Sequence, residues 1–488
     1  MAAKFNHLVV LMLENRSFDH MLGRLYHHDN PDPYHIIPRG QVFDGVSDDM
    51  FNTIFGLPGA DIPPTAINAH RAKNFATPVE FDIGHSFNNV KTQIGGALPG
   101  AAFQMQGFIA SRIAALKADK PTHTITQAEM AEPMAGFSPT THTATGAGPF
   151  SDARVINKLA RDFAVCDNWH ASVPGPTFPN RSFLHAATSN GFVSNGSKKD
   201  NSIKKWSQHH APTIFNLMKQ HGHSAAIYHD GGGPGSDFPA LVYELHPSIS
   251  PTEFKVRSIK QFEHDAANGD LPNYSFIEPN VIGSDTNWHP NDQHPNRDIR
   301  WGEDLMQKVY KAVSTGKSWS ETLLIITYDE HGGFFDHRFP PAAIPPSFVP
   351  GEDDYLFTQL GVRVPGVLIS PRIQTGTVFH PTACFVDHTS VIRTLCARFN
   401  LPPLTPRDAA ACDLSSVLGD TVRTDVPEIP AVDLPASEPA NMPLNDLQQD
   451  YIALVAANRG VEVPHLKTEE HGRAFLKSVA SKPSKTAS

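Results

Sequence analysis

Strand-like and helix-like segments alternate through about residue 400 of this chain. That alternation predicts an α/β fold with a mostly parallel central sheet and helices on both of its faces. Two further observations carry the expectation. Several short apolar runs have no polar face, as in strands buried on both sides; HLVVLML at His7–Leu13 and LLIIT at Leu323–Thr327 are the clearest. These runs end in clusters of polar, metal-capable residues, as expected where sites lie outside the carboxyl ends of strands in an open sheet.

Taken in order, the first predicted strand ends in Glu14-Asn15-Arg16-Ser17-Phe18-Asp19-His20, where Ser17 or Asp19 suits the cap of a helix starting near Phe18. Residues 28–80 are rich in Pro, Asp, Asn and His and read as a long loop or cap insertion. His85 stands just before Ser86, which begins a helix through Val90 and Ile94. Ala102–Ala115 and Asp152–Phe163 have helical apolar spacing, and Ser138–Gly148 between them reads as a mobile loop. Phe163–Cys166 is a short strand.

Ser172-Val173-Pro174-Gly175-Pro176-Thr177-Phe178-Pro179-Asn180-Arg181 follows, with prolines and a glycine fixing the backbone around one hydroxyl. Such a chain presents a nucleophile at a helix N-terminus, where the dipole favours anions. Arg181 is placed to pair with phosphate oxygens. An ordinary N-cap threonine gives the same local sequence.

Ala225–Tyr228 is a strand ending in His229-Asp230, and Tyr274–Ile277 another ending in Glu278-Pro279-Asn280. A loop dense in histidine and acids runs to His294-Pro295, with His289 as a second histidine candidate in it. Arg300–Val313 is a helix that leads into the central strand. That strand ends in Asp329-Glu330-His331-Gly332-Gly333. Adjacent acids are costly to bury without a compensating cation, and the glycines permit a sharp turn or a close approach. Val364–Ser370 is a strand, Val391–Phe399 a helix, Pro427–Pro443 a linker or wrapping strap, and Leu444–Asn458 a helix. Lys477–Ser488 reads as a disordered tail.

Composition narrows the function. The net charge of −10 argues against non-specific nucleic-acid binding and against a surface that seeks anionic membranes. Four cysteines without a C-x-x-C pair argue against a zinc ribbon; their sparseness fits a reducing compartment, and two disulfides stay open. No apolar run approaches a membrane span. The apolar run at Leu8–Leu13 is too short for a signal-peptide core, so the chain reads as cytoplasmic or as exported by a non-classical route. Oligomeric state is not legible.

The motifs at Glu14–His20, Pro174–Arg181, Asn291–Pro295 and Thr327–His337 occur in one order and, with Leu360–Pro365 and Asp387–Ser390, span about residues 5–430. Together they resemble the phosphoesterase family of bacterial phosphatidylcholine-cleaving phospholipases C, plant non-specific phospholipases C and a bacterial acid phosphatase. The resemblance implies an alkaline-phosphatase-like, three-layer α/β/α sandwich with loop and cap insertions over residues 1–430, followed by a partly helical extension over 431–488. It implies Thr177 as the nucleophile that takes the phosphoryl group. It implies one divalent metal ion (Mg, Ca, Mn or Zn) held by Glu14, Asn15, Asp329, Glu330 and the Thr177 oxygen. His85 and His294 match histidines that flank the substrate phosphate, and His229 matches a third.

These roles are chemically coherent. Metal coordination activates a hydroxyl, a mixed oxygen ligand set suits a hard or borderline ion, and a histidine is the natural proton donor to a leaving alcohol. The expected activity is a metal-dependent phosphoric ester hydrolase, foremost a phospholipase C that meets glycerophospholipids by transient membrane-surface contact through residues 28–80 or 338–358. A broad-specificity acid phosphatase is the first rival, and a non-catalytic phosphate- or phospholipid-binding protein the second.

Overall fold

The computed structural model describes residues 4–26, 35–53, 66–75, 82–95, 104–139, 152–197, 201–231, 239–283, 289–435, 442–480 and 482. Eight strands form the central sheet: β1 (His7–Leu13), β2 (Ala164–Cys166), β3 (Ala225–His229), β4 (Arg257–Ser258), β5 (Tyr274–Glu278), β6 (Thr322–Tyr328), β7 (Gly366–Ile369) and β8 (Thr377–Phe379). Their order is β8-β2-β7-β6-β1-β5-β3-β4. Every adjacent pair is parallel except the two that β7 makes, with β6 and with β2. The expected α/β fold with a mostly parallel sheet is therefore observed.

The central pair is the first apolar run and the last. β1 and β6 pair in register from His7↔Thr322 to Leu13↔Tyr328, and Leu8–Leu13 and all of β6 are buried. The absence of a polar face in both sequences is the cause, because a strand covered on both sides has no position that tolerates solvation. β7 runs against its neighbours because residues 329–365, which join it to β6, contain no α-helix to carry the chain back to the starting edge. The edge strands β4 and β8 were not expected; two and three residues are too few to show a period.

The helices that bear on the site are α1 (Phe87–Gln93), α2 (Phe108–Asp119), α3 (Arg154–Asp162), α4 (Thr177–Ala186), α5 (Arg300–Ser314), α6 (Thr389–Phe399), α7 (Asp446–Arg459) and α8 (Glu469–Ala480). Ser17 caps the short helix at Phe18–Met21, and Ser86 caps α1, both as expected. α2 starts later than its apolar spacing suggested, after Gly107. The strap at 427–435 is real: Tyr310, Gln307 and Arg300 of α5 donate to the carbonyls of Pro427, Pro430 and Asp433.

One expectation about the C-terminal region changes. Lys477–Ala480 belong to α8 rather than to a disordered tail; its remainder lies almost wholly outside the described residues. The extension shares a core with α4, since Leu447, Tyr451 and Leu454 of α7 join Phe178 of α4, Trp206 and Leu245 in one buried cluster. Most of the loop at Ser138–Gly148 and parts of 28–80 lie outside the described residues; within the latter, Phe51–Thr53 pairs with Ala66–Asn68. One disulfide joins Cys384 and Cys412, while Cys166 and Cys396 are buried thiols.

Candidate active site

The pairing of β1 with β6 places Glu14-Asn15 beside Asp329-Glu330, just past the last register pair, Leu13↔Tyr328. The Asp329 N–H donates to Leu13 O at 3.1 Å, and the Asn15 N–H donates to Asp329 Oδ1 at 3.0 Å. On the other side of β1, the loop that follows β5 is tied in by the Glu14 N–H, which donates to Asp292 O at 2.8 Å. Three adjacent strands thus deliver Glu14, Asn15, Asp329, Glu330 and His294 to one end of the sheet.

Gly332 and Gly333 have φ of +63° and +76°. A Cβ on Gly332 would lie 2.2 Å from Asn15 O, and one on Gly333 would lie 2.4 Å from Ile83 Cγ2. The close approach of these glycines is therefore to the protein's own chain, the Asn15 backbone in one case and the Ile83 side chain and Gly84 carbonyl in the other. It clamps the Asn15 loop and the His85 loop together.

Thr177 is the first residue of α4, and its hydroxyl does not cap that helix. It donates instead towards Glu14 Oε2 at 3.2 Å and Asn15 Oδ1 at 3.3 Å. The ordinary-cap reading of Thr177 fails for that reason. Asn180, one turn on, holds the Pro-Gly-Pro loop: its amide group donates to the carbonyls of Val173, Gly175 and Pro176 and accepts from the Val173 N–H. The prolines limit the loop's conformations, and Asn180 selects one of them.

Arg181 is engaged within the protein, its guanidinium donating to the Met12 carbonyl at 3.3 Å. Its guanidinium is buried against Glu14, with Nε 2.7 Å from Oε1. Its effect on the site is to neutralise one acid and leave the other carboxylates uncompensated. Burial pushes the Glu14 carboxyl well up, Arg181 opposes this, and Asp329 adds to it. Burial and the neighbouring Glu330 likewise raise Asp329. Asp329 Oδ2 and Glu330 Oε1 are buried and have no hydrogen-bond partner. Unsatisfied buried carboxylate oxygens are costly, and a bound cation removes that cost. The donor set therefore fits the expected divalent ion.

His85 and His294 face each other at the mouth, with ring centroids 6.4 Å apart. Each ring is anchored through Nδ1, which donates to Ile83 O at 2.9 Å in His85 and to Pro295 O at 3.0 Å in His294. His85 Nε2 lies 4.0 Å from Glu330 Oε1. Burial alone would lower both rings. In His85 it is outweighed by Glu330 and Asp446, which hold it well above its ordinary range; in His294 by Asp446 and Asp82, which raise it to about 9. His229 is not part of this pair: it sits at the end of β3 with Nε2 3.9 Å from Glu278 Oε1, and burial lowers it to about 4. His289, the competing loop histidine, stacks on Trp301 with centroids 3.9 Å apart.

Two contributors were missed from sequence. His388 supports the metal-capable loop by donating from Nε2 to Asp329 O at 2.6 Å. Asp446, the first residue of α7, reaches both mouth histidines. Its only local signal is a helix start, and nothing local says where that start docks. The mouth opens into a cavity of about 1340 Å³ lined by Asp82, His85, Pro176, Asn195, Asp446 and Asp450 among others.

A profile of the phosphoesterase family matches residues 5–402, most of the chain and all the residues of this site except those of α7. The chain belongs to the phosphoesterase family. Non-specific phospholipase C6 of Arabidopsis thaliana is 33% identical, covering 96% of this chain and 83% of that protein. Non-specific phospholipase C5 of the same plant is 34% identical over 93% of this chain and 82% of its own length. A bacterial relative, the non-hemolytic phospholipase C of Pseudomonas aeruginosa, is 27% identical over 90% of this chain and 63% of that one. Among solved structures, a protein of the alkaline phosphatase superfamily from Vibrio parahaemolyticus aligns with 54% of this chain and 63% of its own, at 12% identity and a TM-score of 0.30. This phosphoesterase is a phosphoric ester hydrolase.

Proposed function

We propose that this phosphoesterase is a phospholipase C that cleaves glycerophospholipids to diacylglycerol and a phosphorylated head group through a phosphothreonine at Thr177. The observation that carries the reading is the direction of the Thr177 hydroxyl, away from its own helix and into the Glu14–Asn15 carboxylate and amide oxygens. Glu14, Asn15, Asp329, Glu330 and the Thr177 oxygen would hold one divalent ion, which when bound supplies Lewis-acid stabilisation of charge on the phosphoryl oxygens and favours the ionised hydroxyl. The N-terminus of α4 adds a positive dipole end where the incoming phosphate must sit. His85 and His294 present Nε2 to the same region, and His294 donates the proton that the departing alcohol needs. Arg181 orients Glu14 through its buried pair and opposes the upward push that burial gives its carboxyl.

The size of the mouth supports a lipid over a small monoester. A cavity of about 1340 Å³ exceeds the usual range of small-molecule pockets, up to ~1,000 Å³. Contact with the bilayer falls to residues 338–358, where Phe348 and Val349 are 80% and 72% exposed. No helix among the described residues is long and apolar enough to cross a membrane, so that contact is peripheral.

The deciding experiment compares release of p-nitrophenol from p-nitrophenylphosphorylcholine and from p-nitrophenyl phosphate, with and without chelator, alongside elemental analysis of the purified protein. Turnover of the diester that is lost on chelation and restored by a divalent ion is expected. Turnover of the monoester alone would make the protein an acid phosphatase, and full activity in metal-free protein would remove the metal from the reading.

A further inference from the structure

The two histidines at the mouth are already engaged by a carboxylate of this chain. Because each Nδ1 is committed to a backbone carbonyl, each ring has one nitrogen left for a ligand, Nε2. Asp446 stands on both: Oδ2 is 3.0 Å from His85 Nε2, and Oδ1 is 2.9 Å from His294 Nε2. The carboxylate is set by its own backbone, since the Asp446 N–H donates to Asp82 Oδ2 at 3.2 Å and the Leu447 N–H donates to Asp446 Oδ1 at 2.7 Å.

A carboxylate that orients a catalytic histidine binds the nitrogen remote from the substrate. Asp446 binds the near one, and on both rings, so it is not such a partner. Two carboxylate oxygens, each about 3 Å from an imidazole Nε2, take the places that two non-bridging oxygens of a phosphoryl group would take, although His294 Nε2 makes no well-aligned hydrogen bond there. Asp446 also has somewhere to go: its side chain is 40% exposed and lines the wide cavity.

We propose that Asp446 occupies the anion subsite of the phosphoryl group and thereby selects singly charged phosphodiesters over doubly charged phosphomonoesters. This rests on the ester-hydrolase reading above and names its substrate class. The physical reason is that repulsion by a nearby unit charge grows with the charge of the ligand, so Asp446 opposes a dianion about twice as strongly as a monoanion. A phosphodiester carries one negative charge. A phosphomonoester or inorganic phosphate approaches two at neutral pH, as a phosphorylated side chain does. No lysine or arginine lines the cavity among the described residues to offset that difference. Asp446 lies beyond residues 5–402, so the device belongs to the C-terminal helix and not to the family-matched region.

The test uses the full chain with Asp446→Asn, Asp446→Ala and Asp450→Asn, all at one fixed pH near neutrality. Asp450 lines the same cavity but pairs with Asn195, at 2.9 Å, and touches neither histidine. Three quantities are measured: kcat/KM on p-nitrophenylphosphorylcholine, kcat/KM on p-nitrophenyl phosphate, and calorimetric affinity for inorganic phosphate. Both Asp446 variants should raise the monoester-to-diester ratio by ~10-fold and tighten phosphate by a similar factor, as removal of one close repulsive charge requires. Asp450→Asn should leave both within ~2-fold, as expected of a charge without direct contact.

An unchanged ratio and unchanged phosphate affinity in both Asp446 variants would overturn the proposal. So would an equal shift in Asp450→Asn, or a fall in kcat on both esters without tighter phosphate, which would make Asp446 a positioning residue. Failure of the underlying reading is separable: if the wild-type chain turns over neither ester, phosphate calorimetry still judges the subsite, and no phosphate binding by any form counts against it.

Discussion

Two acid–histidine groups in this molecule use the same residue types for opposite ends. Asp19, Asp336 and His337 bring their polar atoms within 4.8 Å of one another, and so do Asp82, His294 and Asp446. The first group contains its own fixed cation. Arg363, fully buried, reaches Asp336 Oδ1 at 2.9 Å from Nε and Asp19 Oδ1 at 3.1 Å from Nη2. His337 then bridges Asp19 and Asp44 at 2.8 and 3.0 Å. Among the described residues no guanidinium meets the carboxylates of the second group, Arg112 reaching only the Asp82 carbonyl, and Asp82 and Asp446 line the cavity together with Pro176. Composition therefore does not separate a structural acid cluster from a functional one. What separates them is the kind of counter-charge: a fully buried guanidinium in the first, and in the second two histidines held by Asp446, whose side chain is 40% exposed and lines the cavity.

The sharpest way to test the functional side is Thr177→Ala. The hydroxyl is the only group the proposed chemistry transfers phosphate to, so kcat should fall by at least ~10³ with an unchanged melting temperature. Thr177→Ser should keep appreciable activity. Near-wild-type turnover in well-folded Thr177→Ala would dissolve the contrast between the two groups.

The structural side breaks differently. Arg363→Met removes the buried guanidinium and leaves Asp336 without its cation and Asp19 with His337 alone, a change of the kind that costs about 3–5 kcal/mol. Denaturant melts should show that loss, while kcat of the molecules that remain folded should change little. If activity collapsed at unchanged stability, the Asp19 group would belong to the site.

The same contrast explains what could be read in advance. β1, β5 and β6 were legible because a strand without a polar face can only be central, and the sites at their carboxyl ends followed from the sheet. The stretch Asp329–His337 reads as one motif, but its halves part company: Asp329 and Glu330 face Thr177's surroundings, whereas Asp336 and His337 turn to Arg363. That division depends on Arg363, whose stretch Leu360–Pro365 reads as a motif but whose docking on Asp336 and Asp19 only the fold reveals. Arg181 misled for the same reason, since a basic residue beside a nucleophile suggests phosphate until its buried partner Glu14 is seen. Asp446 was invisible because helix periodicity locates a helix and says nothing of where its first residue docks.

His294→Ala sharpens the comparison from the catalytic side. An alkoxide leaving from a lipid needs a proton, and p-nitrophenolate barely does. Loss on phosphatidylcholine should reach ~10², the scale of general acid catalysis, and should exceed the loss on p-nitrophenyl esters, with metal content unchanged. Equal losses on both substrates would assign His294 to phosphate positioning.

The smallest effect distinguishes the groups by their response to pH. Burial alone would lower His337, but Asp19 and Asp44 outweigh it and raise the ring from 6.5 to about 10. The folded state therefore holds the His337 proton more tightly than the unfolded chain does. A raised histidine contributes its stabilisation in full below its unfolded value and loses it as the pH climbs through the folded one. Wild-type stability should consequently decline between about pH 6.5 and pH 10, and His337→Gln, which cannot be protonated, should decline less over that window. Urea melts at pH 7 and pH 9.5 on both forms measure the difference directly. Parallel curves would mean that Arg363 alone balances the two aspartates, with His337 as a neutral donor to them. The counter-charge of the structural group would then be a single buried guanidinium, in contrast to the two histidines that meet Asp446 at the mouth.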